Sequence, residues 1–303
     1  MKFKFRKKHV VKESNPFIVK AFIILMSVLL FVYCVSLLLP LFWMLMTSLK
    51  DEINYTIDNF GFPTTLHFEN FSDVLTKYLY VDIGNLRYGV DTMFMNSIIL
   101  AVGSTFMNVF FTILCAYALS RFSFKGNKLI YTIGVVIMVM PIVGSLPATF
   151  MIKRALNIYD NMFLHILTSG GGFSGMNFLI LYAAFKAIPK DFNEAAEIDG
   201  AGDYLILFRI MMPMILPTAT TLFVLGFIGA WNDYSTPLVW LPSYPNLPFG
   251  MYAFQMGATG GGDGAGMTVI MAGFVIVMIP TVIIYACAQK IMNSNFVVGG
   301  IKG

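Results

Sequence analysis

Ser174 stands in the run Gly172-Phe173-Ser174-Gly175, a glycine-flanked spacing that can present a hydroxyl for nucleophilic attack. A serine hydroxyl at its ordinary pKa is a weak nucleophile and needs a base within hydrogen-bond reach. The three histidines, His9, His67 and His165, fall in the N-terminal tail and in loops, and the last apolar segment offers none. They are expected as solvated surface residues, and no metal cluster can be assembled from them. Cys34, Cys115 and Cys287 lie within apolar runs with no paired spacing for a zinc site or a disulfide, and are expected as small packing residues. The glycine run at 257–266 is not followed by Gly-Lys-Ser or Gly-Lys-Thr and does not join a strand to a helix. It reads as a flexible loop, and any ATP chemistry must come from a partner.

Two other stretches carry more information. In the first, about 188–212, Pro189 suits a first helical turn, Glu194 to Ile198 favour helix, and Gly200 is placed to end that helix at positive φ. Asp203 can cap a second helix that leads through Leu205 and Phe208 into an apolar run. Ala195, Ala196 and Ala201 remove bulk where a partner surface could approach, and Glu194, Glu197 and Asp199 offer it charged hydrogen bonds. The second stretch is Trp231-Asn232-Asp233-Tyr234, polar groups inside an apolar run, where they must face protein or a water-filled cavity. Pathway lining, with Trp231 stacked on a solute, and helix packing or a subunit interface both fit these residues. Asn96 and Asn177 are weaker candidates of the same kind.

The elements that position these residues follow from hydropathy. With 57% hydrophobic and 12% charged residues and a mean hydropathy of +0.75, the chain is far more apolar than a soluble domain. Crossing a hydrocarbon core of about 30 Å takes roughly 20 helical residues. Six runs qualify, at about 17–47, 95–119, 129–152, 163–187, 212–241 and 267–288. The expected fold is an all-α membrane protein of six transmembrane helices in a single domain, 17–303, after a basic tail, 1–16. The first run is too long for a signal-peptide core and is expected to be an uncleaved start-transfer helix. Arg121, Lys125 and Lys128 follow the second run, Lys186, Lys190 and Arg209 surround the loop after the fourth, and Lys290 and Lys302 follow the sixth. Basic residues on alternate sides predict cytoplasmic termini and a cytoplasmic loop between helices 4 and 5. The acidic segment at about 51–92 then lies outside, as a lid with a short helix capped near Asn70 or Ser72, and the net charge of +4 reflects orientation, with no nucleic-acid partner implied.

The pattern Glu194-Ala195-Ala196, two residues, Asp199-Gly200-Ala201, then Phe208, Ile210, Pro213 and Pro217 resembles the loop of binding-protein-dependent ABC importer permeases. Asn96-Ser97, the run from Ala116 to Arg121, Trp231-Asn232-Asp233-Tyr234 with Pro237-Leu238, and the terminal run from Phe296 to Gly303 are similar to the carbohydrate-uptake branch, the smaller maltose-type permease in particular. The resemblance covers roughly 62 to the end. One departure is Gly202, where family members often carry serine or another capping residue.

This resemblance implies a permease subunit of an ATP-driven sugar or oligosaccharide importer in a bacterial inner (plasma) membrane. It implies four kinds of neighbour: a second, homologous permease, two ATPase subunits, an extracellular solute-binding protein and membrane lipid. No cofactor is bound by this chain itself, ATP and magnesium belonging to the ATPase. The short helix around Glu194 to Ala201 would dock in the ATPase and couple its closure to the membrane helices. An importer permease for another polar solute is the nearest alternative. An ion-coupled secondary transporter would need buried carboxylates, for which only Asp233 is a candidate. The run around Ser174 resembles the nucleophile of rhomboid proteases, which also have six core spans, but their histidine on the sixth span has no counterpart here.

Overall fold

In the computed structural model, residues 16–140, 144–257 and 265–294 are described; most of the basic tail, most of the glycine run and the terminal run from Phe296 lie outside them. Among the described residues, four helices have the length and apolarity to cross a membrane. The first, α1 (Pro16–Ser48), has 33 residues, about 50 Å at 1.5 Å per residue, and turns large apolar side chains outward along its length, Phe31 being 70% exposed. Such exposure is stable only in lipid or against another apolar surface. Cys34 lies on this exposed helix.

A compact segment follows. α2 (Glu52–Ile57) is capped by Asp51, which accepts from the Asn54 amide at 2.9 Å. α3 (Glu69–Asp73) runs into a widened turn at Val74–Tyr78, and β1 (Val81–Ile83) pairs with β2 (Leu86–Tyr88) in a hairpin closed by the Arg87–Asp82 ion pair at 2.9 Å. Neither Asn70 nor Ser72 caps α3, as the sequence suggested. Asn70 instead donates to the carbonyls of Ser48 and Lys50, at 2.9 and 2.7 Å, and ties the end of α1 to this segment. Lys50 is fully buried there and donates to the Asp58 carbonyl at 2.7 Å.

The second long helix is α4 (Val90–Arg121). The expected third span is broken: α5 (Asn127–Val139) stops and α6 (Leu146–Ala155) starts afresh. The cause lies in the letters Met140-Pro141. A residue before proline is pushed out of the helical region, and Met140 is extended at φ −71°, ψ 118°. The expected fourth span is likewise two helices, α7 (Met162–Thr168) and α8 (Met176–Ala187), separated by the run from Ser169 to Gly175, with Gly175 at φ +55°.

α9 (Asp191–Ile198) and α10 (Asp203–Leu205) form the loop that follows, and a π-helical turn at Ile206–Met211 feeds α11 (Met212–Trp231). That widened turn directly precedes Pro213, whose missing N–H removes an i→i−4 bond. The expected fifth span ends at Trp231, short of 241, where Asn232 turns back onto the Ile228 carbonyl. α12 (Ser235–Val239) and α13 (Leu247–Gln255) cross that end before α14 (Met267–Ser294) returns and packs along α1. Cys287 is exposed on α14, and Cys115 is half-buried on α4, so only the latter fits the expected packing role.

Two apolar cores hold the helices together. One, at the end of the molecule that carries α9, gathers Tyr117, Phe178, Phe185, Ile206 and Met211 from α4, α8 and the π-helical turn. The other, at the opposite end, gathers Met93, Trp231, Met251 and Phe254 with Val74 and Leu79 of the segment between α1 and α4.

Candidate functional site

The loop that joins α8 to α11 is built around one glycine. Gly200 sits at φ +81°, its amide donates to the Glu197 carbonyl at 3.0 Å, and the Ala201 amide reaches back to Ala196 at 2.9 Å. These two bonds are the Schellman pattern, which satisfies carbonyls left over at a helix end. Ala196 is buried and Ala201 half-buried against the core of Tyr117, Phe185 and Ile206. These alanines therefore hold the loop to its own helices, where the sequence suggested room for a partner; Ala195 alone of the three is exposed. Pro189 precedes the helix, which opens at Asp191, and the second helix has Gly202 at its cap position with Asp203 as its first residue. Asp203 thus contributes through the helix dipole and makes no capping hydrogen bond.

The opposite face of the loop is open. Glu194, Glu197 and Asp199 are exposed, and beside them Ile198 is 86% and Tyr204 83% exposed. Phe208 is also exposed, Ile210 is half-buried, Pro213 is exposed, and Pro217 is half-buried inside α11. Ile198 and Tyr204 were not singled out by sequence; an isoleucine and a tyrosine flanking an Asp-Gly turn are the signal that identifies them.

A second feature lies between α4, α11 and the α7–α8 break. Two adjoining cavities of about 200 and 210 Å³ share Ser104, Ser169 and Ala230. Asn108 and Asn177 line one; His165, Asp233 and Asn246 line the other. Backbone at membrane depth without helical bonding is tolerated where protein or a water-filled cavity supplies partners. Here Asn108 donates to the Ser169 carbonyl at 3.3 Å, and the Ser169 hydroxyl lies 3.2 Å from the Ser104 carbonyl. Gly170 faces Phe111 so closely that any Cβ would collide with its ring, which fixes the break against α4. Asn108→Leu is expected to leave the Ser169 carbonyl without this donor and to lower stability by about 1 kcal/mol, read as a reduced Tm in detergent.

The residues of the polar knot divide. Trp231 is 1% exposed, donates from Nε1 to the Val277 carbonyl at 3.0 Å and stacks on Phe227 with ring centroids 5.7 Å apart. It is a packing residue and offers no face to a sugar. Asn96 is buried and donates to the Pro245 carbonyl at 2.9 Å, and Asn232 donates to Ile228 at 2.8 Å. Tyr234 is exposed and stacked on Tyr252 at 4.7 Å. Asp233 accepts from the amide and hydroxyl of Ser235 at 2.8 and 2.5 Å and from those of Thr236 at 3.2 and 2.5 Å. Burial opposes its ionisation, but these four hydrogen bonds outweigh burial and hold its carboxyl below the usual range. A carboxylate so committed is a structural cap beyond the end of α11. His165 is half-buried, its Nδ1 lying 3.4 Å from Lys153 Nζ, in place of the solvated position expected. Ser174 lies 2.8 Å from the Thr112 hydroxyl and donates to the Gly171 carbonyl, an arrangement of helix-break support.

Comparison with known proteins follows the same lines. Residues 108–297, more than half of the chain, match the family model for the binding-protein-dependent transport system inner membrane component. The chain belongs to this family. It is 33% identical over 282 residues to the inner membrane ABC transporter permease protein YcjP of Escherichia coli, covering 89% of this chain and 93% of that one. The permease is also 28% identical to the diacetylchitobiose uptake system permease protein of Streptomyces coelicolor, over 86% of this chain and 83% of that one. To the arabinooligosaccharides transport system permease protein of Bacillus subtilis it is 27% identical, over 88% and 91%. Its fold is that of a chain in a bacterial ABC transporter that imports the acidic polysaccharide alginate, with a TM-score of 0.76 at 24% identity, covering 92% of the permease and 99% of that chain. As a member of this family it is a multi-pass membrane transport component and not itself an enzyme.

Proposed function

We propose that this permease forms half of the translocation pathway of an ATP-driven importer for sugars or oligosaccharides, and that the α9–Gly200–α10 loop transmits closure of an ATPase dimer to α11. The observation that carries the proposal is the two-sidedness of that loop. Its buried alanines are fixed to the core that holds α4, α8 and the start of α11, while Ile198 and Tyr204 project outward without packing of their own. A force applied at the tip therefore reaches the membrane helices through a closed helix end and the π-helical turn. The polar groove at Ser104, Asn108 and Ser169 is the stretch of this reading along which hydroxyl-rich solutes pass.

Six crossings satisfy this arrangement: α1, α4, α5 with α6, α7 continued by α8, α11 and α14. Both termini and the α9 loop then share the cytoplasmic side of a bacterial inner membrane. A second, homologous permease completes the pathway, two ATPase subunits bind ATP and magnesium, and a binding protein outside delivers the solute. Support for the sugar class comes from relatives named for diacetylchitobiose and arabinooligosaccharide uptake.

The test is purification in mild detergent from native membranes with mass-spectrometric identification of what is retained. An ATPase, a second permease and a solute-binding protein are expected; a chain that comes out alone and transports alone overturns the proposal. In the same assay Ile198→Ala with Tyr204→Ala is expected to weaken ATPase retention by roughly thirtyfold or more, the scale of two interfacial anchors. Retention at the wild-type level moves the docking face elsewhere.

A further inference from the structure

The α9 end of the molecule carries a groove that the coupling reading leaves unused. It is open, about 550 Å³ in volume, and lies between the end of α4, the turn into α5 and the end of α8. Arg121, Lys128, Lys186 and Lys190 line it together with the aromatic rings of Phe122 and Phe124, and no carboxylate contributes to the lining. Among the described residues the ion pairs are Lys77–Asp73 and Arg87–Asp82, both between α1 and α4, so these lysines have no acidic partner among the described residues.

Arg121 gives the groove its floor. Its guanidinium donates through one Nη to the carbonyls of Phe185 and Ile188, at 2.6 and 2.9 Å, and thereby joins α4 to the end of α8. Its Nε is buried and has no hydrogen-bond partner among the described residues. Asn127 holds the turn, donating to the carbonyls of Leu119 and Phe122, at 3.1 and 2.7 Å. Around this rigid floor Lys128, Lys186 and Lys190 are exposed. Phe122, Phe124 and Leu129 are exposed beside them, apolar surface at the level where membrane-crossing helices end.

Exposed cations beside the exposed rings of Phe124 and of Phe122, the latter braced edge-on by Tyr117, are the complement of a phosphate attached to acyl chains. Basic pockets between transmembrane helices on the cytoplasmic side hold anionic headgroups by this combination. We propose that the groove is a binding site for an anionic phospholipid of the cytoplasmic leaflet, its phosphate among Lys128, Lys186 and Lys190 and its chains against Phe122 and Phe124. The proposal rests on the orientation argued above, which places α9 and this groove inside the cell. A lipid held here sits one loop away from α9, since Ile188, bound by Arg121, leads through Pro189 into that helix. Occupancy would brace the root of the coupling loop.

The experiment is native mass spectrometry of the purified chain with the subunits it retains, titrated with phosphatidylglycerol or with phosphatidylcholine of the same acyl chains. A saturable phosphatidylglycerol adduct is expected on the wild type and not with phosphatidylcholine. K128Q/K186Q/K190Q is expected to weaken it by roughly a hundredfold, each basic residue near an anionic headgroup contributing about fivefold, and K128R/K186R/K190R to restore it. Unchanged binding by the glutamine variant overturns the site. So does displacement of the lipid by excess inorganic phosphate, which would make it a phosphate site, or loss of the ATPase subunit with lipid binding intact, which would make it a protein contact. Orientation is read separately, by labelling Ser123→Cys, in a chain whose three native cysteines are replaced by alanine, with an impermeant maleimide. Reaction only after permeabilisation supports the cytoplasmic placement, and reaction in intact cells overturns it whatever the lipid titration shows.

Discussion

Trp231→Ala is expected to destabilise the permease by about 3–5 kcal/mol, the usual scale for emptying a buried aromatic site. Trp231 is 1% exposed, stacked on Phe227 at 5.7 Å and met edge-on by Phe94 at 6.0 Å. Its removal opens a cavity between α4, α11 and α14 and also strips the Val277 carbonyl of the indole donor. The Val277 carbonyl lies in α14 beside that of Ile276, which loses its ladder donor because Pro280 has no N–H. Thermal unfolding in detergent reads the effect as a Tm lower by roughly 10 °C. Trp231→Phe retains the stacking and loses the hydrogen bond, so it should recover all but about 1 kcal/mol. If Trp231 instead contacted solute, alanine would raise the KM for transport and leave the Tm in place.

The same residue shows what the sequence could and could not reveal. Trp-Asn-Asp inside an apolar run reads as a polar knot at membrane depth, but the run contains a helix end. Asn232 folds back onto the Ile228 carbonyl and Asp233 organises the next turn through Ser235 and Thr236. Asparagine and aspartate favour that role because their short side chains bond to nearby backbone. Hydropathy sums over a window and does not register where the backbone leaves its ladder. For α1, α4 and α14 this is harmless, since each is a long helix close to the bounds expected. For the third and fourth spans it conceals two breaks whose letters were visible, Met140-Pro141 and the glycines from 170 to 175.

What makes the break in the fourth span tolerable is distant in sequence. Ser104, Asn108 and Thr112 fall at i, i+4 and i+8 on α4, a polar stripe on one helical face that was legible as a pattern. That the stripe meets Ser169 and Ser174 follows only from packing of α4 against α7 and α8. The polar groove was therefore missed, and Asn177 and Asp233 were the sequence candidates that do border it. Local turn chemistry, by contrast, was fully legible at Gly200, because a helix end is decided by the few residues that form it.

Gly200→Val is expected to reduce solute-stimulated ATPase activity of the assembled importer tenfold or more while membrane insertion is unchanged. An added Cβ at Gly200 meets nothing within 4 Å, so no steric contact with neighbours enters. The penalty is in the backbone: at φ +81° an L-residue loses about 1–2 kcal/mol, and a β-branched one more. The chain can relieve that strain only by leaving the left-handed region, which breaks the bonds from Gly200 to Glu197 and from Ala201 to Ala196. Ile198 and Tyr204 would then lose their fixed relation to the π-helical turn that leads into α11. Because only Ala196 and Ala201 of this turn enter the core of Tyr117, Phe185 and Ile206, the Tm of the variant should fall by no more than a few degrees. Asparagine tolerates the left-handed region better than alanine, and valine least of all, so activity should fall in the order glycine, asparagine, alanine, valine. That order separates a conformational requirement from a need for open space, under which asparagine would be worse than alanine. Wild-type stimulation in the valine variant would remove Gly200 from the coupling path.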